Sequence, residues 1–182
     1  MILESVKSLR NNIQKLPDKP GIYAWWAREN ELQIILNSLN LQYAAIKNSL
    51  EEQNGYYCVY VGIAARESVK SRLSWHIKQQ NTISSVKSGF LSTLRQSLAG
   101  ILNVPMTDTA RVNAFMDELY VSYSVFECPV KSDQAKQKAH AWENAKLKSG
   151  KLYVLNIQGN NSLAFCKALK QLRKTAKKKV LL

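Results

Sequence analysis

The sequence predicts an α/β (α+β) domain with a small sheet covered by helices. Two observations carry this: few segments have strand character, and many have helical spacing. The order read along the chain is β, α, β, α, α, α, β, α, extended, α. Residues 1–16 are expected to form a short helix ended by Pro17. GIYAWWA (residues 21–27) reads as a strand. In ELQIILNSLNLQYAAIKNSL, the residues Leu32, Ile35, Leu36, Leu39, Tyr43, Ile46 and Leu50 have helical spacing, which predicts one amphipathic helix. Asn54-Gly55 breaks it. YYCVYVGIA is rich in β-formers and reads as a second strand. Residues 67–79 are expected as a helix with Val69, Leu73 and Ile77 on one stripe. Arg72 and His76, four apart, share a face of it. FLSTLRQSLAGIL predicts another helix, and residues 108–117 a short one capped by Thr107 or Asp108. ELYVSYSVFE is the third expected strand. A helix capped by Ser132 or Asp133 then runs to about Lys148 and stops at Gly150. KLYVLNIQGNN reads as extended, with a turn at Gly159, and a last helix begins near Ser162.

The 182 residues suggest one domain over 1–182 with a core of its own. No apolar run approaches the ~20 residues of a membrane span, and MILESVKSLRNN lacks the apolar stretch of a signal peptide. Cys58, Cys128 and Cys166 are too few and too scattered for a disulfide framework or a zinc site, which fits a reducing cytoplasm. Charge is the strongest bulk signal. The net charge is +13, and no acidic residue follows Glu143. Ten Lys and Arg lie beyond it, seven of them in KALKQLRKTAKKK (167–179). Such a surface attracts phosphate backbones. An anionic membrane surface or an acidic partner protein fits the charge as well, and a solvated helix face is the plain reading.

The common catalytic signatures are absent. There is no GxxxxGK[ST] or GxGxxG phosphate loop and no GxSxG elbow. His76 and His140 have no ligand partners at zinc spacing. One constellation remains. Tyr23 and Tyr60 each sit on a strand beside a glycine, in GIY and YVG. Arg72 and His76 follow on the next helix, Glu143 stands on a late helix, and Asn156 comes after it.

This ordered set resembles the GIY-YIG nuclease superfamily. YVGIAARESVKSRLSWH is similar to the family's YIG-to-helix segment, and STLRQSLAGIL and LNIQGN resemble parts of its type II restriction endonuclease branch. YVG replaces YIG, and the two motif strands are separated by a longer segment than in minimal members. The resemblance spans roughly residues 17–175. It implies a mainly antiparallel three-stranded sheet in a core of about 17–160, with helical insertions at about 27–55 and 84–118 and a basic C-terminal helix at about 162–179. It also implies a phosphodiester-cleaving endonuclease leaving 5′-phosphate and 3′-hydroxyl ends. Tyr23 would take the proton of the attacking water, and Arg72, the metal and His76 would favour its phenolate. Tyr60 would contact the phosphate or the water, and Arg72 would clamp the phosphate. His76 would orient a tyrosine hydroxyl, Glu143 would hold one Mg²⁺ (or Mn²⁺), and Asn156, or Asn160, would close the site. Expected backbone contacts are Arg66, Lys70, Arg95, Lys170, Arg173 and Lys174, with Arg95 equally readable as salt-bridged. The expected substrate is DNA, with RNA left open, and no membrane is expected; the restriction branch implies a homodimer on a palindrome.

Each residue has a structural reading beside the functional one. The tyrosines suit a strand core, Gly62 suits a bulge or a close backbone approach, and His76 suits a half-buried site beside Trp75. Arg72 and Glu143 suit a solvated helix, and Asn156 suits a turn cap. The competing functions are a nucleic-acid-binding module without catalysis and a basic interaction protein. A repair or mobile-element nuclease is the neighbouring enzyme reading.

Overall fold

A computed structural model describes residues 2–158 and 164–181. Among them the sheet has five strands, not three, in the order β1-β5-β2-β4-β3 with every pairing antiparallel. The three long strands are the expected ones: β2 (Gly21–Ala27), β4 (Tyr56–Ala64) and β5 (Tyr120–Val125). The two extra strands, β1 (Glu4–Ser5) and β3 (Glu52–Gln53), are two residues each and lie at the edges. So short a strand has no alternation to read. β3 exists because Asn54 (φ 53°) and Gly55 (φ 79°) form a tight turn that folds it back on β4, as left-handed turn pairs do in hairpins.

The helices are α1 (Val6–Asn12), α2 (Glu29–Ser38), α3 (Tyr43–Ile46), α4 (Val69–Lys78), α5 (Ile83–Ser88), α6 (Thr93–Ile101), α7 (Thr109–Asp117), α8 (Asp133–Lys148) and α9 (Ala164–Leu181). The single helix expected over 31–50 is broken. Asn40 adopts φ 55°, which no helix continues through, and α3 and a 3₁₀ turn follow it. Leu32, Ile35, Leu36 and Leu50 are buried as the spacing requires, although two elements carry them. The expected turn at Gly159 and helix start at Ser162 lie outside the described residues.

Packing divides the sheet into two faces. Paired residues share a face, so Tyr23, Trp25, Tyr60 and Gly62 lie together, opposite Ala24, Trp26 and Val61. The first face meets Val69, Leu73 and Ile77 of α4 in the main core. The second meets Trp142 and Leu147 of α8 in a smaller core. Both β2 and β4 contribute side chains to the two cores. Beyond β3 the open edge of β4 is closed by irregular chain: Leu155 N donates to Val59 O (2.9 Å). The expected extended segment is thus an edge cover rather than a strand.

Candidate active site

Two close approaches explain the glycines of GIY and YVG. Tyr23 pairs with Gly62 across β2 and β4. A Cβ on Gly62 would lie 2.3 Å from both Cζ and the hydroxyl of Tyr23. The ring of Tyr23 therefore lies over the bare backbone of Gly62. A Cβ on Gly21 would lie 2.1 Å from Ser124 O and 2.8 Å from a Val69 methyl. Neither glycine has a positive φ, so what each supplies is space, not turn geometry.

The Tyr23 hydroxyl is the centre of a buried network. It lies 2.9 Å from His76 Nε2, and Arg72 Nε donates to it at 3.4 Å. His76 Nδ1 lies 2.7 Å from Ser92 Oγ, which also caps α6 by accepting from Arg95 N. The helical spacing of Arg72 and His76 aims both side chains at the one phenol. Tyr60 stacks beside Tyr23, with ring centroids 6.4 Å apart and planes at 29°, and its hydroxyl lies 3.5 Å from Thr93 Oγ1.

Burial governs the protonation states. The His76 pKa is pushed down to about 3 by burial, then by the Arg72 and Arg95 charges. The imidazole is therefore neutral, and the expectation that it adds a cation beside Tyr23 is corrected. Burial also raises the Tyr23 phenol well above its usual range, with Tyr60 adding to this and Arg72 opposing it. The resting site holds a protonated phenol and a neutral imidazole. Neutral imidazole serves in either tautomer. Nε2 accepts from a phenol while Nδ1–H donates to Ser92, or Nε2–H donates to a phenolate while Ser92 donates to Nδ1.

His76 ties stability to pH. Its folded pKa lies below its ordinary unfolded value of about 6.5, so between about pH 6.5 and 3 the unfolded chain binds one more proton. Stability must fall as pH drops through that window. The expected slope tends toward about 1.4 kcal/mol per pH unit for the one proton. Urea unfolding between pH 7 and 5, where most carboxylates stay ionised, reads it. His76→Gln should flatten the slope.

A cleft of about 370 Å³ opens over this network. Tyr23, Tyr60 and Arg72 line it, together with Glu143 of α8. Glu143 is 9% exposed, and its Oε2 lies 3.7 Å from His140 Nδ1. Glu67 sits 3.2 Å from Arg72 Nη1 and steadies the guanidinium. Asn156 borders the cleft, but its side chain behaves as a piece of strand. Its Oδ1 accepts from Val61 N (2.8 Å), and its Nδ2 donates to Val61 O (2.9 Å). It fixes the β4 backbone between Tyr60 and Gly62. Asn160, the alternative site asparagine, lies outside the described residues.

The expected backbone contacts divide. Arg66, Lys170 and Lys174 are exposed, and Lys70 is half-buried. Arg173 is half-buried on α9, lines the cleft, and donates through Nε to Ser97 Oγ (2.9 Å). Gly100 makes this possible: a Cβ there would lie 2.8 Å from the Leu172 backbone, so only glycine lets α9 come this close to α6. Arg95 corrects the expectation. It is 1% exposed and donates to His76 O (3.0 Å) and Asn113 Oδ1 (2.8 Å). It joins the C-terminal end of α4 to α7 and presents nothing to a phosphate.

Ser92, Thr93 and His140 were not among the expected site residues. Ser92 fell inside the expected helix FLSTLRQSLAGIL, with no role read for it; in the fold it is the residue that caps α6. Its bond to His76 spans 16 residues and has no local signal.

The two motif strands pair directly, and the cleft over their tyrosine network bears two guanidinium groups and one carboxylate. A family model for the GIY-YIG catalytic domain matches residues 21–175. The chain belongs to the GIY-YIG family, so it carries a nuclease domain whose substrate is nucleic acid. Comparison with curated proteins and with solved structures finds no match. Among the described residues, no helix is long and apolar enough to cross a membrane.

Proposed function

We propose that the chain is a metal-dependent endonuclease that hydrolyses phosphodiester bonds in DNA, with Tyr23 as the general base. The observation that carries this reading is the Tyr23 hydroxyl, held between His76 and Arg72 at the floor of a cleft that also holds Glu143. Arg72, on its Glu67 anchor, would clamp the scissile phosphate with the fork of its guanidinium. Arg173 would meet the phosphate from the α9 side. Tyr23 in its minority phenolate form takes the proton of the attacking water. His76 is too weak a base to hold that proton, so it positions the phenol. Tyr60 would donate to a phosphate oxygen.

The donor set fits one hard divalent ion. Among the described residues no group of three or more His, Cys, Asp and Glu gathers to hold a metal, and the amide of Asn156 is committed to Val61. Glu143 would be the single protein ligand of Mg²⁺ or Mn²⁺, with water filling the other positions, as Mg²⁺ favours. Such an ion, when bound, supplies Lewis-acid stabilisation to the leaving 3′ oxygen.

Supercoiled plasmid incubated with Mg²⁺ is expected to be cut. EDTA should abolish cutting, and Glu143→Ala should reduce it at least about 10²-fold, the scale of a lost electrostatic contact to the transition state. Cleavage that survives both would remove Glu143 from the reaction. The restriction-type reading rests on the resemblance of STLRQSLAGIL and LNIQGN. It adds a homodimer on a palindromic site and requires discrete bands, whereas a smear selects a non-specific or repair-type nuclease.

A further inference from the structure

A second cavity of about 320 Å³ lies directly beside the cleft, with Arg72 and Thr93 lining both. Its other walls include Glu67, Trp75 and Phe90. Phe90 is 69% exposed, although it is a large apolar ring. It packs edge-on against Trp75, with centroids 4.6 Å apart and planes at 68°. Its turn is built rather than loose. Gly89 takes φ 78° at the end of α5, and Leu91 N donates to Gly89 O (3.0 Å). Gln79 then clamps both sides: its Nε2 donates to Phe90 O (3.3 Å), and its Oε1 accepts from Ser92 N (2.8 Å).

We propose that this cavity holds an unstacked nucleobase of the nucleotide next to the scissile phosphate. The inference rests on the nuclease reading of the cleft. A phosphate on Arg72 leaves its attached nucleoside within reach of the adjoining cavity, because the same guanidinium borders both. Aromatic side chains set beside a phosphate-binding cation are the recurring platform for unpaired bases. Glu67 accepts from Arg72 Nη1 through Oε1 (3.2 Å) and from Ser71 Oγ through Oε2 (2.9 Å), so it fixes the guanidinium in the wall and leaves the base to be held by stacking. A base inside a duplex stack cannot enter such a cavity, so the favoured substrate is a single strand, a bulge or a site where one base is turned out. This reading names a substrate class that the family match does not.

The test is binding in EDTA, which separates it from cleavage. A fluorescent single-stranded oligonucleotide is compared with an abasic deoxyribose-phosphate oligomer of equal length and charge. The wild-type protein is expected to bind the base-bearing strand at least about tenfold more tightly. Phe90→Ala should reduce that gap by about tenfold, the scale of one lost base stack, and Phe90→Tyr should retain it. Because Phe90 is exposed, these variants leave the core intact. Equal affinity for the two oligomers, or a gap unchanged in Phe90→Ala, overturns the pocket. If the wild-type protein cuts plasmid but shows no gap, only the pocket fails. If it shows the gap but never cuts, the nuclease reading fails.

Discussion

Tyr23→Phe is expected to lower kcat by about 10²–10⁴-fold, the range for a lost general base, with KM nearly unchanged. The variant loses one hydroxyl and keeps the ring over Gly62, so the sheet should stand. The cost to folding is the loss of the bond to His76, whose Nε2 is then left without its buried partner. That is about 1–3 kcal/mol. Steady-state cleavage of a quenched oligonucleotide, beside thermal melting, separates the two effects. The phenol sits well above its usual pKa, chiefly through burial. Only the phenolate accepts a proton from water, so the wild-type rate should rise with pH toward the alkaline limit of folding. His76, held neutral to about pH 3, should add no inflection near the ordinary histidine range.

Gly62→Ala is expected to be nearly as severe, although it removes no functional group. The new methyl would overlap the Tyr23 ring, with Cζ and the hydroxyl each 2.3 Å away. The obstacle on the other side is the α4 layer, where His76 and Arg72 stand. The ring must tilt out of its hydrogen bonds, or β2 and β4 must part. Displacing a reacting group by about 1 Å costs roughly 10²-fold in rate, and overpacking costs about 1–3 kcal/mol in stability. Cleavage should therefore fall about 10²-fold or more while the protein still melts cooperatively. If Gly62→Ala cuts at the wild-type rate, the close approach is not what the motif glycine provides.

These two variants also show how a motif can be legible while its reason is not. GIYAWWA and YYCVYVGIA read as strands because they are dense in β-formers, and their bounds in the fold are the same. Nothing along the chain shows that Tyr23 stands opposite Gly62. That follows from the pairing register and from the shift between Trp25 and Trp26. Arg72 and His76 could be read as neighbours because helical spacing is local. Their common target could not, since it lies 49 and 53 residues earlier in the chain. Arg95 shows the same limit from the other side. A lysine- and arginine-rich chain invites every Arg to be assigned to nucleic acid, but burial between α4 and α7 is a tertiary fact. Arg173 differed only because Gly100 draws its helix inward. The two-residue strands and the break at Asn40 were missed for a simpler reason: each is decided by one or two backbone dihedrals rather than by a periodic pattern.

The central claim is that the Tyr23 phenol is the group that takes the proton from the attacking water. Replacing that one residue by 3,5-difluorotyrosine keeps the ring and hydroxyl but makes the phenol more acidic. The single-turnover cleavage rate would be followed against pH for both proteins at saturating Mg²⁺. The account predicts that the alkaline rise moves to lower pH in the fluorinated protein, by as much as the phenol has been acidified. A pH–rate curve that stays where it was would show that Tyr23 does not carry the proton, and would contradict the account.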